Sequence, residues 1–316
     1  MNMPEAAKQS AEYILPLYMN GLSGRMMHVP SSTKRQREIL LIYGHHAMLE
    51  RWWGLVENLR EYGPVTMPDM PGFGGMQSFS KIGIKPDIDA YADYLAAFIK
   101  LRYKRKRVTV IGISFGFVVV TRMLQRYPEL AKKIDMLVGE VGFMHEEDII
   151  YSPGVRRFYH YVARFFATRP IAVVIRYVFL SRPIIKFLTN NMPNSKHRFL
   201  EVSPEEFESS LDFEVILWQE NDVRTHWLTT SEFLKLNNCA KPIKLPVVHI
   251  ISAGDHYLNN IRVEQHMRQV FSSYKHFLAD SKAHVPSVIA DKSDMAVLLP
   301  DGLRRLLAKK PRAFRL

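Results

Sequence analysis

Val108-Thr109-Val110-Ile111-Gly112-Ile113-Ser114-Phe115-Gly116 is a β-branched run that ends in Gly-x-Ser-x-Gly, and Phe117 to Leu124 continues it in helix-competent sequence. Strand, tight turn and helix in that order make the signature of a nucleophile elbow, which presents a serine hydroxyl. The serine must stand clear of the sheet in a strained turn. The backbone there passes its neighbours so closely that Gly112 and Gly116, two positions before and two after Ser114, tolerate little else. A helix starting just after Ser114 points its free amides and positive dipole end at the place where negative charge would develop. The motif also arises by chance, so the reading depends on what the rest of the chain supplies.

The 316 residues suffice for one large α/β domain with an insertion, and a hydrophobic fraction of 47% fits a sizeable core. One cysteine, Cys239, excludes an internal disulfide framework, fits a reducing compartment and reads as a free core thiol. Met1 to Lys8 lacks the order of a signal peptide, and no uninterrupted apolar run approaches the roughly 20 residues of a spanning helix, so a cytoplasmic location is expected. The formal net charge is +12. Its densest run, Arg102 to Arg107, follows a helical stretch from Asp87 to Lys100 and reads as a solvated edge at a helix C-terminus. With no helix-turn-helix, zinc-finger or RNA-binding signature, no nucleic-acid partner is expected.

Upstream of the elbow, residues 12–29 read as a hairpin around Asn20-Gly21. Glu38 to Tyr43 reads as a buried strand entering Gly44-His45-His46-Ala47. A helix with Trp52, Trp53, Leu55, Val56 and Leu59 follows, then a strand, Val65-Thr66-Met67, that ends in Pro68-Asp69-Met70-Pro71-Gly72-Phe73-Gly74-Gly75. Ile88, Tyr91, Tyr94, Leu95 and Phe98 form a core-facing helical stripe before the elbow strand. Ile134 to Val141 is the next strand. Sequence of helical character then runs from His145 to about Ala240, and a buried strand returns at Pro246 to Ile251.

These residues resemble the α/β-hydrolase family: an apolar strand into a turn at Tyr43-Gly44, a Trp-bearing helix, Asp69-x-Pro71-Gly72-x-Gly74, and the elbow itself. The chain departs from the family pattern in having Tyr43 where histidine is usual, and Gly75-Met76 where a serine is common. The resemblance implies a mostly parallel, eight-stranded twisted sheet flanked by helices. It also implies a helical cap inserted after the strand that follows the elbow helix. Residues 1–143 and 242–316 would be core, and 144–241 the cap.

The resemblance extends to Ser252-Ala253-Gly254-Asp255-His256 as the acid turn and to Asp280-Ser281-Lys282-Ala283-His284 as the histidine loop, in the family's chain order Ser114, Asp255, His284. Each site follows a strand, at the sheet edge where open α/β sheets place their ligands. Serine is a weak nucleophile at neutral pH, so His284 would take its proton and return it to the leaving group. Asp255 would hold the imidazole tautomer. By resemblance the oxyanion hole is the backbone N–H of His45 and of Phe115. Glu140, at the end of the strand after the elbow helix, is the alternative acid. His256 reads as a surface residue. His45 and His46 are adjacent, point in different directions and have no carboxylate or cysteine at ligand spacing, so no metal and no cofactor is expected.

Tyr151 to Leu200 carries nine Lys or Arg and no Asp or Glu, with aromatic and aliphatic residues interleaved. The expected arrangement has its apolar side packed on the core, roofing the pocket, with the arginines in solvent. Peripheral membrane contact through these basic helices is the other reading. The function expected is cleavage of a carboxylic ester through an acyl-enzyme on Ser114. The substrate would be a small hydrophobic ester, with an anionic group suited to the acid-free cap. The alternatives are a meta-cleavage-type carbon–carbon bond hydrolase and a slow-turnover ligand-binding homologue.

Overall fold

The structure is a computed structural model that describes residues 5–181, 183–185, 187, 204–281, 284 and 291–311. A first short helix, α1 (Glu5–Ser10), leads into a hairpin of β1 (Ile14–Met19) and β2 (Leu22–Val29). Its turn residues, Asn20 (φ 53°) and Gly21 (φ 78°), are both left-handed, which matches the twist of the flanking strands.

Six further strands complete one sheet: β3 (Ile39–Ile42), β4 (Val65–Pro68), β5 (Val108–Ile113), β6 (Ile134–Glu140), β7 (Ile243–Ser252) and β8 (Phe271–Ala279). The order is β1-β2-β4-β3-β5-β6-β7-β8, antiparallel as far as β4 and parallel from β4 to β8. Every residue of β3, β4 and β5 is buried, as expected of parallel strands with helices on both faces. The expected strand at Pro246 to Ile251 begins earlier, at Ile243. Pro246 is accommodated because the pairing with β8 slips between Ile243 and Pro246, so no ladder amide is required of it.

The helices along the sheet are α2 (Trp53–Leu59), α3 (Ile88–Arg102) and α4 (Phe115–Arg126). The expected stripe on α3 is buried throughout, and Asp87 caps the helix by accepting from Ala90 N.

Between β6 and β7 the chain leaves the sheet and forms α5 (Pro153–Phe166), α6 (Arg169–Val174) with a π-helical turn at Ile175–Phe179, α7 (Pro204–Glu220) and α8 (Val223–Phe233). Arg182, Lys186, Leu188, Lys196 and Arg198 of the basic run lie outside the described residues. One expectation fails here. The aromatic side of α5 does not pack inward: the helix buries Arg156 and Ala163 and leaves Phe158, Tyr161 and Phe165 in solvent. The side of α5 that faces α8 is taken by Ala163, by His160 against Ser231 and by Phe166 against Trp227, at 4.9 Å between ring centres.

The chain closes with α9 (Asn260–Val270), α10 (Lys292–Met295) and α11 (Asp301–Ala308). No helix among the described residues is long and apolar enough to cross a membrane. Within the histidine loop, residues 282, 283 and 285–290 lie outside the described residues, as do 1–4 and 312–316 of the termini.

Candidate active site

Ser114 joins β5 to α4 at φ 49° and ψ −115°, a left-handed backbone that a serine adopts at a cost of roughly 1–3 kcal/mol. The surroundings hold it there. Its amide donates to the Glu140 carbonyl at 2.8 Å, and its own carbonyl accepts from Phe117 N and Val118 N at 3.0 and 3.3 Å. A methyl group on Gly116 would sit 2.2 Å from the Ile42 carbonyl oxygen, and one on Gly112 would sit 2.7 Å from Phe117 Cα. Both elbow glycines are therefore required by contact with neighbouring backbone.

His284 Nε2 lies 2.9 Å from Ser114 Oγ, and its Nδ1 lies 2.7 Å from Asp255 Oδ2. A carboxylate can only accept, so Nδ1 donates to Asp255 and leaves a bare Nε2 facing the serine hydroxyl. The other Asp255 oxygen accepts from Tyr257 N at 2.8 Å and Leu258 N at 3.2 Å. Burial works to raise the Asp255 carboxyl. The hydrogen bond and charge of His284, with the two amides, outweigh it and hold the group below the usual carboxylate range. The structure thus brings Ser114, His284 and Asp255 into one hydrogen-bonded chain.

Glu140 is not part of that chain. Its carboxyl is buried, one oxygen has no hydrogen-bond partner, and burial pushes it well above the usual glutamate range. His256 is exposed.

Phe115 is the first residue of α4, so its amide belongs to the turn that has no intrahelical carbonyl to bond. The turn after β3 passes just as near: a methyl group on Gly44 would meet Ser114 Cβ at 3.3 Å and Oγ at 3.9 Å. The His45 ring is engaged by the inserted helices. Its Nε2 donates to Thr229 Oγ1 at 2.8 Å and to the His226 carbonyl at 3.1 Å, and burial lowers its pKa to about 4. Phe73, Phe115 and Phe233 surround it edge-on at 5.3–5.9 Å between ring centres.

The bonds that support the site escaped the sequence reading. Asp69 is fully buried, with Oδ1 accepting from the Tyr43 hydroxyl at 2.8 Å and Oδ2 from Arg25 Nε and Gly75 N, each at 3.0 Å. Tyr43 Oη in turn accepts from Met70 N at 2.9 Å. The tyrosine that replaces the usual histidine therefore ties the turn after β3 to the turn after β4. From the inserted helices, Asn221 accepts from Gly74 N at 2.8 Å and donates to His46 Nδ1 at 3.0 Å, while Asp222 N donates to the Gly72 carbonyl at 2.9 Å. The insertion is thereby fastened to the turn after β3, which borders Ser114, and to the turn after β4.

Behind the acid turn, buried Asp148 accepts from His266 Nδ1 at 2.6 Å and from the Met144 and His145 amides, and its carbonyl accepts from Asn259 N. His145, Glu147 and His266 bring three potential ligand atoms within 4.8 Å of one another. Asp148 takes up His266 Nδ1, however, and His145 Nδ1 accepts the Glu147 amide at 3.2 Å. The turn they flank braces the loop that carries Asp255 through its backbone, with Asn259 N on the Asp148 carbonyl and Ile150 N on that of Tyr257.

The family model for the alpha/beta hydrolase fold matches residues 39–175. The bifunctional biotin-biosynthesis protein BioHC of Cellvibrio japonicus is 21% identical over 251 residues, 75% of this chain and 47% of that protein, so the chain spans about half the length of the curated relative it matches. A thermophilic esterase from Thermogutta terrifontis superposes with a TM-score of 0.63 at 15% identity, covering 94% of this chain and 98% of its own. An enol-lactonase from Burkholderia xenovorans does so with a TM-score of 0.63 at 14% identity, covering 92% and 100%. Elbow, sheet order and matched segment agree: the chain has the alpha/beta hydrolase fold.

Proposed function

We propose that the chain is a serine hydrolase that cleaves a carboxylic ester of a hydrophobic substrate through an acyl-enzyme on Ser114. The observation that carries this reading is a single imidazole, His284, with Nε2 at 2.9 Å from Ser114 Oγ and Nδ1 at 2.7 Å from Asp255. In this reading Nε2 takes the serine proton as Oγ attacks the ester carbonyl, then gives it to the departing alkoxide. Water reverses the sequence and frees the acid. Asp255 keeps the tautomer and balances the imidazolium. The Phe115 and His45 amides receive the oxyanion, each worth about 2.7–4 kcal/mol in the transition state. The aromatic rings around His45 support a hydrophobic acyl group, and the acid-free insertion supports an anionic one. Residues 144–241 act as the cap. The lone, partly buried Cys239, its thiol pushed up to about 12 by burial, supports a reducing, cytoplasmic setting.

The test is hydrolysis of p-nitrophenyl esters from acetate to palmitate, with fluorophosphonate labelling of the same samples, for the wild type and Ser114→Ala. The variant is expected to lose labelling and at least about 10³-fold in kcat. Wild-type protein that folds yet neither labels nor turns over would refute the serine mechanism.

A further inference from the structure

The inserted helices turn their largest apolar side chains to water. On α5, Phe158, Tyr161 and Phe165 fall on one stripe and are 64%, 67% and 58% exposed, while the buried positions hold Arg156 and Ala163. The pattern continues through exposed Val173, Val174, Tyr177, Val178 and Phe179. Arg157, Arg164, Arg169 and Arg176 are exposed beside them, and no Asp or Glu occurs from Tyr151 to Leu200. Scattered exposed apolar residues are ordinary, but a row of exposed aromatics whose own stretch of sequence supplies cations and no acid marks an interaction surface.

We propose that this face of α5 and α6 lies on an anionic lipid bilayer, with the aromatic rings at the headgroup boundary and the arginines on lipid phosphates. Charge selects this occupant over a second copy of the chain. A symmetric contact through this face would set the same cations against each other with no acid in the stretch to offset them. At 14 residues α5 is about 21 Å long, which suits a helix lying in the plane of the surface. The face connects with the site. α5 packs on α8, where the His160 ring meets Ser231, and α8 holds His45 through Thr229. Lipid contact would thus act two helices away from Ser114.

The experiment is co-sedimentation with phosphatidylcholine vesicles, plain or carrying about 30% phosphatidylglycerol, at about 0.1 M and 1 M salt. Wild type and Ser114→Ala are run side by side, so that binding is read apart from catalysis. Both are expected to pellet with the anionic vesicles at low salt, to release at high salt, and to stay in solution with phosphatidylcholine alone. The triple variant Phe158→Ser/Tyr161→Ser/Phe165→Ser and the double variant Arg157→Glu/Arg164→Glu are each expected to bind at least about tenfold less, with unchanged circular dichroism. No binding by folded wild type, equal binding to both vesicles, or variants that bind as wild type would overturn the proposal. So would a dimer in sedimentation velocity that the triple variant abolishes, because it would assign the face to a protein contact.

Discussion

Ser114 keeps its left-handed backbone only while Gly112 and Gly116 leave room for it, and three other residues around the site carry equally specific consequences. Asp255 and Glu140 are both acids at strand ends, yet only Asp255 meets His284. Asp255→Asn is expected to lower kcat by about 10³–10⁴-fold, because the amide favours the wrong imidazole tautomer. Glu140→Gln is expected to keep fluorophosphonate labelling. Burial raises the Glu140 carboxyl, so the folded state favours its protonated form and stability falls as pH rises above the ordinary value of 4.5. Glu140→Gln should therefore melt at a higher temperature than wild type at pH 8 and at much the same temperature near pH 4. Tyr43→Phe strips a hydroxyl from buried Asp69 and Met70 N, and about 1–3 kcal/mol of unfolding free energy should go with it in urea titration. Ser114, Asp255 and His284 were legible in the sequence because each sits in its own short motif at a strand end. Tyr43 was legible only as a departure, since its partner Asp69 is 26 residues away and neither position alone announces the bond.

Elements with a local signal were readable in advance: the Asn20-Gly21 hairpin, the β-branched strands, and α3 with its apolar stripe. The inserted helices were not. Their helical character could be read, but the side each presents depends on partners far along the chain: His45 and Thr229 are 184 residues apart, Gly74 and Asn221 147. Asn221, at the junction of α7 and α8, shows what that docking contributes. Asn221→Leu would leave the Gly74 amide and His46 Nδ1 without partners, and the expected loss is about 2–3 kcal/mol in chemical denaturation. A larger loss in kcat than in substrate affinity should accompany it, since the turn of Gly44 to His46 that it fastens borders Ser114.

Across the whole molecule, the insertion meets the sheet at a group of histidines. The rings of His45 and His46 lie 4.5 and 4.8 Å from that of His226, and His46 Nε2 and His226 Nδ1 are shut off from water without an acceptor. Burial lowers all three pKa values below the ordinary 6.5, to about 4 for His45. Between those limits the unfolded chain binds more protons than the folded one, so these rings make stability fall as pH drops from 6.5 toward 4. Asp69, pushed up to about 6 by burial against the pull of Arg25, works in the opposite sense. The difference between wild type and His226→Phe isolates the histidine contribution. The fall in melting temperature from pH 7 to pH 5 should be smaller in the variant by about 2 °C or more, and an identical fall would disprove the assignment. Sheet order has a consequence for biosynthesis. Ser114 and His284 stand 170 residues apart, and at about 5–20 residues per second roughly ten to thirty seconds of translation separate them. A nascent chain that has already folded its elbow against β3 and β6 still lacks the imidazole that meets Ser114, so the Ser114–His284 contact is withheld from the ribosome-bound protein until β8 joins the sheet.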